Sequence, residues 1–162
     1  MILEYAQLLS TAHRVLDGDM FIGVGKTGRK QTRYVLSDSR ESLLYTSTHI
    51  NHPSAIWVRK SYHNYMWLHS LLHNLCKEYT HRYGKIHKVE RIELLTSLGV
   101  APNKLKLSRN DTTFTEPPPA MPDIYKVDDI VQSYHNYYNC DKSRFAKWTN
   151  RNPPDWYEPK VA

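Results

Sequence analysis

Cysteine is scarce in this chain. Cys76 and Cys140 are the two among 162 residues, at a spacing that fits no zinc signature, so reduced thiols in a cytoplasm-like compartment are expected rather than a disulfide framework. Long apolar runs are lacking too: none approaches the ~20 residues a membrane span needs, the mean hydropathy is −0.64, and the start is not signal-like. Glycine is limited to six residues, and most of these crowd between Gly18 and Gly28. Acids are outnumbered, 16 Asp and Glu against 22 Lys and Arg, for a net charge of +6. The resulting pI near 9.3 favours an acidic partner. The length suits one domain spanning residues 1–162, with no internal repeat.

What the chain does contain is concentrated between His49 and His87, where aromatic, histidine and basic residues alternate. After the break at Asn51-His52-Pro53, Ser54 is expected to cap one long central helix over residues 54–84 that stops at Gly84. Tyr65, Leu68, Leu72, Leu75 and Tyr79 recur at three and four and form its core stripe, with Trp57 and Leu71 beside them. Its other face presents Arg59, Lys60, His63, His69, His73, Lys77, His81 and Arg82. Cations interleaved with stacking-capable rings are the composition of a surface that holds a polyanion carrying bases.

The remaining elements read as mostly α. Residues 1–17 place Leu3, Ala6, Leu9, Ala12 and Leu16 at helical spacing, with Gly18 as the stop. This helix starts without an N-cap residue, so sequence upstream of Met1 is expected. Residues 18–38 read as a basic loop or short hairpin carrying Lys26, Arg29, Lys30 and Arg33. The string GVGKTG within it resembles a phosphate-binding loop but lacks the full G-x-x-x-x-G-K-[ST] spacing, and a basic surface loop is the plainer reading. A short helix is expected over 39–46 and another over Val89–Leu98. Residues 100–126 are expected to be an irregular connector that includes a stiff triple proline. Residues 127–162 are expected to be a C-terminal helix and a Pro- and aromatic-rich arm, packing back through Phe145, Trp148 and Trp156.

Several constellations bear on chemistry. His69 and His73 stand at i, i+4, yet the H-E-x-x-H arrangement is absent, so surface histidines are expected and no metal or cofactor is assigned. Glu4 is the single acid in the first sixteen residues. Among apolar neighbours its partial burial would raise its pKa toward acid/base use, while the alternative is a solvated carboxylate favouring the helix N-terminus. Trp57, His49 and His52, at the turn before the long helix, are either wedge or pocket groups for a displaced base, or a core tryptophan and a capped turn.

The segments MILEYAQLLSTAHRVLDGD, YTSTHINHPSAIWVRKS, NYMWLHSLLHNLCKEYTHRYGKIHK and PPPAMPDIYK resemble a group of phage and marine-bacterial proteins, and together they cover most of the chain. A more distant similarity is to the phage pyrimidine-dimer DNA glycosylases of the endonuclease V type. It rests on a first helix bearing a glutamate (Glu4), a basic loop, the His52-Pro53 turn, a helix ending in Arg82-Tyr83-Gly84, and the late pair Trp156-Tyr157. The resemblance implies a small helical protein acting on damaged or modified duplex DNA, in which an α-amine attacks the sugar C1′ and Glu4 handles the proton transfers. It departs from that pattern in two ways. The family's amine lies a segment upstream of its glutamate, and the basic neighbours of that glutamate are replaced here by Leu3 and Gln7.

Phosphate contacts would then fall to Arg14, Arg29, Lys30, Arg33, Arg59 and Lys60, with His49, His52, Trp57, Arg82, Lys85 and His87 completing the nucleic-acid-binding set. Three readings stay open: a glycosylase-like enzyme with or without a lyase step, a non-catalytic nucleic-acid binder, and a protein that engages a host factor. A cytoplasmic location is expected, the host cytoplasm for a phage-encoded chain. No small-molecule ligand is specified.

Overall fold

The computed structural model describes residues 1–25, 27–107 and 113–159. Lys26, part of the connector and the last three residues lie outside them. The protein is mostly α, with one two-stranded hairpin. None of the described helices is long and apolar enough to cross a membrane.

The helix at the centre of the fold is the first one. α1 (Ile2–Asp17) packs against both strands of the hairpin and against the helices that follow residue 52 as far as residue 107. Its middle is buried nearly all round: Ala6, Leu9 and Ala12 are joined there by Ser10, Thr11, His13 and Arg14. Each buried polar group is paired, as burial requires. Ser10 donates to the Ala6 carbonyl at 2.7 Å, and Thr11 Oγ1 accepts from Thr48 N at 3.2 Å. Leu3 of the expected stripe is exposed instead.

Gly18 then turns the chain into a hairpin of β1 (Asp19–Val24) and β2 (Lys30–Val35). A Cβ at Gly18 would lie 2.6 Å from the Arg14 carbonyl oxygen and 2.9 Å from that of Val35, so the close approach of helix end and strand end requires glycine. A short helix α2 (Arg40–Leu43) follows.

The single helix expected over 54–84 is two helices, α3 (Pro53–Lys60) and α4 (Tyr62–Tyr83). Ser61 separates them in extended conformation, φ −146° and ψ 158°, and its Oγ accepts from Asn64 N at 3.1 Å. His52, rather than Ser54, caps α3. With Ser61 buried and capping, Ser61→Ala is expected to lower stability by about 1 kcal/mol, read by urea unfolding. An unchanged midpoint would mean that the break is held by packing alone. α4 ends at Gly84, whose φ of 61° is the left-handed stop the sequence predicts.

Asn64, one turn into α4, ties down the connector. Its amide donates to the Trp57 carbonyl at 3.0 Å and to Thr115 Oγ1 at 2.9 Å, and accepts from Thr115 N at 3.0 Å. The helix expected over Val89–Leu98 is likewise divided, into α5 (Lys88–Arg91) and α6 (Leu94–Leu98), by Glu93 at φ 61°. α7 (Asn103–Leu107) falls within the stretch expected to be irregular. The core that results joins Leu9 and Ala12 to Val58, Tyr65, Leu68, Leu72, Cys76, Val89, Leu94 and Leu98. Cys76 is buried within it and Cys140 lies outside, both unbridged.

α8 (Ile130–Asn139) opens on Asp129, whose carboxylate accepts from Val131 N and Gln132 N. The arm beyond it returns to α4. Glu78 grips Arg151 and Arg82, each at 2.7 Å, and the Arg82 guanidinium lies 5.6 Å from the centre of the Trp148 ring. Trp156 stacks on His135 at 4.1 Å. Phe145, also expected to pack back, is 62% exposed.

Candidate nucleic-acid interface

Two features of the hairpin end of α1 stand side by side: strand β2 and the turn over residues 47–52. Between them lies an open cleft of about 580 Å³, lined by Gln31, Thr32, Arg33, Thr48, His49 and His52 among others. Three residues read from the sequence as nucleic-acid-binding, Arg33, His49 and His52, are therefore brought together. Arg29 and Lys30 stand exposed near the hairpin tip, where Gly25 N donates to the Arg29 carbonyl at 2.8 Å.

The turn is held in an unusual shape. His49 has φ 47°, a conformation that costs a non-glycine residue on the order of 1 kcal/mol or more. Thr11 pins Thr48 from behind, His52 N donates to the His49 carbonyl at 2.8 Å, and His52 Nδ1 in turn accepts from Ser54 N at 3.2 Å. Arg59 Nη2 donates to the Ile50 carbonyl at 2.8 Å. Arg59 Nη1 is buried with no hydrogen-bond partner among the described residues, and burial lowers the pKa of this guanidinium. Arg59 thus supports the turn from inside rather than reaching outward from it, while Lys60 is exposed.

Three nearby acids are engaged by other arginines, and Asp19 is the one acid on the hairpin itself. Asp17 and Asp38 pair with Arg40 at 2.6 and 2.7 Å, and Glu41 pairs with Arg14 at 2.6 Å. Arg40 hydrogen bonds hold the Asp38 carboxyl down to about 2. Burial alone would raise the Asp17 carboxyl, but hydrogen bonds from Arg40, Asn103 and Lys104 outweigh it and keep it below its usual range. Among the described residues, Arg29, Lys30 and Arg33 form no ion pair.

Two of the expected contacts are corrected by burial. Arg14, expected to clamp phosphate, is 2% exposed. It spends all five N–H donors inside, on the carbonyls of Tyr34, Glu41, Leu44 and Tyr45 and on the Glu41 carboxylate. Trp57, considered as a wedge, is 7% exposed. Its Nε1 donates to the Thr115 carbonyl at 2.9 Å, and its ring meets Trp67 and Phe114 edge-on. It is a packing residue.

Glu4, Arg82, Lys85 and His87 belong to the opposite end of the helices. Thirteen residues separate Glu4 from Asp17 along α1, about 20 Å at 1.5 Å per residue. Of the two alternatives for Glu4, the structure shows the solvated carboxylate: its side chain is 71% exposed, with the Met1 amino group 3.2 Å away. Arg82 is engaged by Glu78 and the Lys147 carbonyl. His87 caps α5 through Val89 N, and burial, followed by the Met1 amino charge, lowers its pKa. Lys85 is exposed. His69, on the histidine-rich face, lies 3.0 Å from the Leu95 carbonyl through Nε2. Among the described residues no group of three His, Cys, Asp or Glu side chains is arranged to hold a metal ion.

A buried polar chain went unread in the sequence. Tyr65 donates its hydroxyl proton to the Leu98 carbonyl at 2.8 Å, so it accepts from His13 Nε2, also at 2.8 Å. His13 Nδ1 then accepts from Arg40 Nη1 at 3.0 Å, and Arg40 reaches Asp17, whose carboxylate receives the N–H groups of Asn103 and Lys104. Helical spacing placed His13, Asp17 and Tyr65 on helices but gives no partner for any of them, and Asn103 and Lys104 fall in the stretch expected to be irregular. No protein-family model, curated protein or solved structure matches the chain.

Proposed function

We propose that the protein binds duplex nucleic acid through the hairpin and the 47–52 turn, with DNA as the partner. The observation that carries this reading is the cleft between β2 and the turn, where Arg33, His49 and His52 meet beside exposed Arg29 and Lys30 while Asp17, Asp38 and Glu41 are occupied by Arg40 and Arg14, leaving Asp19 as the one exposed acid of the hairpin. Cations left unneutralised on a protruding edge are what phosphate contacts use, and histidine and hydroxyl groups in the cleft add hydrogen-bonding partners for the backbone. The reading takes residues 1–162 as one domain, with the C-terminal arm closing on the far end of α4.

Fluorescence anisotropy with a labelled duplex tests it. Binding is expected to weaken as salt rises from about 50 to 200 mM. Arg29→Glu/Lys30→Glu/Arg33→Glu is expected to weaken it at least about tenfold at low salt and to flatten the salt dependence by about three phosphate contacts. Binding that ignores both salt and these charges would sink the proposal.

The second reading, excision of a damaged base, rests on the resemblance that assigns Glu4 to proton transfer. Exposure of Glu4 and its distance from the cleft favour simple binding over this chemistry. Incubation with UV-irradiated and abasic duplexes under borohydride separates the two. A trapped covalent adduct, lost or diminished in Glu4→Gln, would establish the enzymatic reading. Salt-dependent binding without an adduct would leave a non-catalytic binder.

A further inference from the structure

The β1–β2 register sorts the hairpin side chains onto two faces. Met20 opposite Tyr34, Ile22 opposite Thr32 and Val24 opposite Lys30 share one of them. On that face Met20, Ile22 and Val24 are 65%, 70% and 71% exposed, and they repeat at every second residue, as a continuous stripe along a strand does. A two-stranded hairpin is marginal by itself, and leaving three bulky apolar groups in water adds nothing to its stability. An exposed stripe of this kind marks a contact surface.

Charge decides what covers it. Residues 19–35 carry four cations, Lys26, Arg29, Lys30 and Arg33, against one acid, Asp19. A second copy would bring the same positive charge onto itself, whereas a polyanion meets opposite charge. Apolar side chains flanked by Arg and Lys are the combination with which proteins wedge between base steps and bend a duplex, the cations holding the adjoining phosphates. A two-stranded ribbon is also of a size that a DNA groove admits. The wedge sought at Trp57 thus has a better position here, beside Lys30 and Thr32 on one face of the hairpin, while Arg33 stands opposite Phe21 on the other and lines the cleft.

We infer that the β1–β2 hairpin is an arm that enters a groove of duplex DNA and uses Met20, Ile22 and Val24 to unstack and bend it. This rests on the proposed DNA binding and adds to it a mode of recognition: duplexes that kink easily, through flexible steps or poorly stacked lesions, are preferred over stiff ones.

The test compares the wild-type chain with Ile22→Thr/Val24→Thr, which keeps β-branched strand formers at two exposed positions, and with Met20→Thr. The probe is a duplex of about 30 base pairs, short against the persistence length, carrying a fluorophore at each end. Wild type is expected to raise energy transfer between the ends. The double variant is expected to lose most of that rise and to bind about tenfold more weakly, with the same salt slope and an unchanged circular dichroism melt. Met20→Thr is expected to give a smaller loss in the same direction.

Unchanged bending and affinity in the variants would overturn the arm while leaving DNA binding intact. Wild type that fails to bind the duplex at all would overturn the proposed function itself. Sedimentation showing a wild-type dimer that the double variant splits, with bending unaffected, would assign the stripe to a second copy. Flotation on vesicles of phosphatidylcholine and phosphatidylserine, lost in the double variant while bending persists, would assign it to a membrane.

Discussion

Replacing Arg14 with methionine is expected to cost roughly 3–5 kcal/mol of folding free energy, as leaving several carbonyls inside the fold without their donor does. The side chain lies 2% exposed at the junction of α1, β2 and α2, and each of its five donors is used there. Methionine fills a similar volume but strands four carbonyls and the Glu41 carboxylate, which also accepts from Leu36 N at 2.8 Å. That N–H, ahead of Arg14, is what holds the Glu41 carboxyl below its usual range. Lysine offers three donors from one point and cannot span the same acceptors. In a protein whose total stability is of the order of 5–15 kcal/mol, Arg14→Met is expected to lower Tm by roughly 10 °C or more. Arg33→Met on the exposed hairpin should stay within about 0.5 kcal/mol. Equal melting temperatures for the two variants would remove Arg14 from the framework and return it to the list of surface cations.

Acidification from pH 6.5 to 4.5 is expected to destabilise the protein before its carboxylates respond. Burial, then the adjacent Arg40 charge, pushes the His13 pKa down to about 4, against about 6.5 in an unfolded chain. The folded state therefore holds His13 neutral where the unfolded state already takes up a proton. The stabilising contribution is complete above pH 6.5 and is lost as pH falls toward 4, about 3 kcal/mol in all. Hydrogen bonding enforces the neutral form as well: Nε2 donates to Tyr65 and Nδ1 accepts from Arg40. The Asp17 and Asp38 carboxyls, both held low, add a further loss of the same sign below pH 4. Urea unfolding at half-unit pH intervals would show the slope, and His13→Gln, which does not titrate, should flatten it between 6.5 and 4.5. His87, whose pKa is also lowered, contributes to both proteins and cancels in the comparison. A wild-type slope no steeper than that of His13→Gln would mean that His13 is protonated inside the fold.

The helices were readable because their apolar residues recur with the period of a helix, and Gly84 was readable because a left-handed stop selects glycine. The position of the central helix was not. Ser10, Thr11, His13 and Arg14 count as a polar face in any periodicity, and only the partners of Thr11, His13 and Arg14, supplied by residues 34–65, reveal that this face is interior. The break at Ser61 was hidden for a related reason. A buried serine inside an apolar pattern looks like a tolerated residue until its hydroxyl is seen to cap the next helix. Among the site residues, the cations of the hairpin were readable from charge and glycine content, since a protruding hairpin leaves them exposed. Their meeting with His49 and His52 depends on Thr11 pinning Thr48 across 37 residues, which no local pattern records.

Gly18 separates two kinds of sequence freedom. With two carbonyl oxygens within 3 Å of where a side chain would begin, that position admits no other residue, and the frame that sets the hairpin at the end of α1 is closed to variation. Just beyond it, the exposed side chains of β1 and β2 constrain nothing in the interior. A lineage carrying this fold is free to rewrite the hairpin surface, one residue at a time, without refolding the part that presents it.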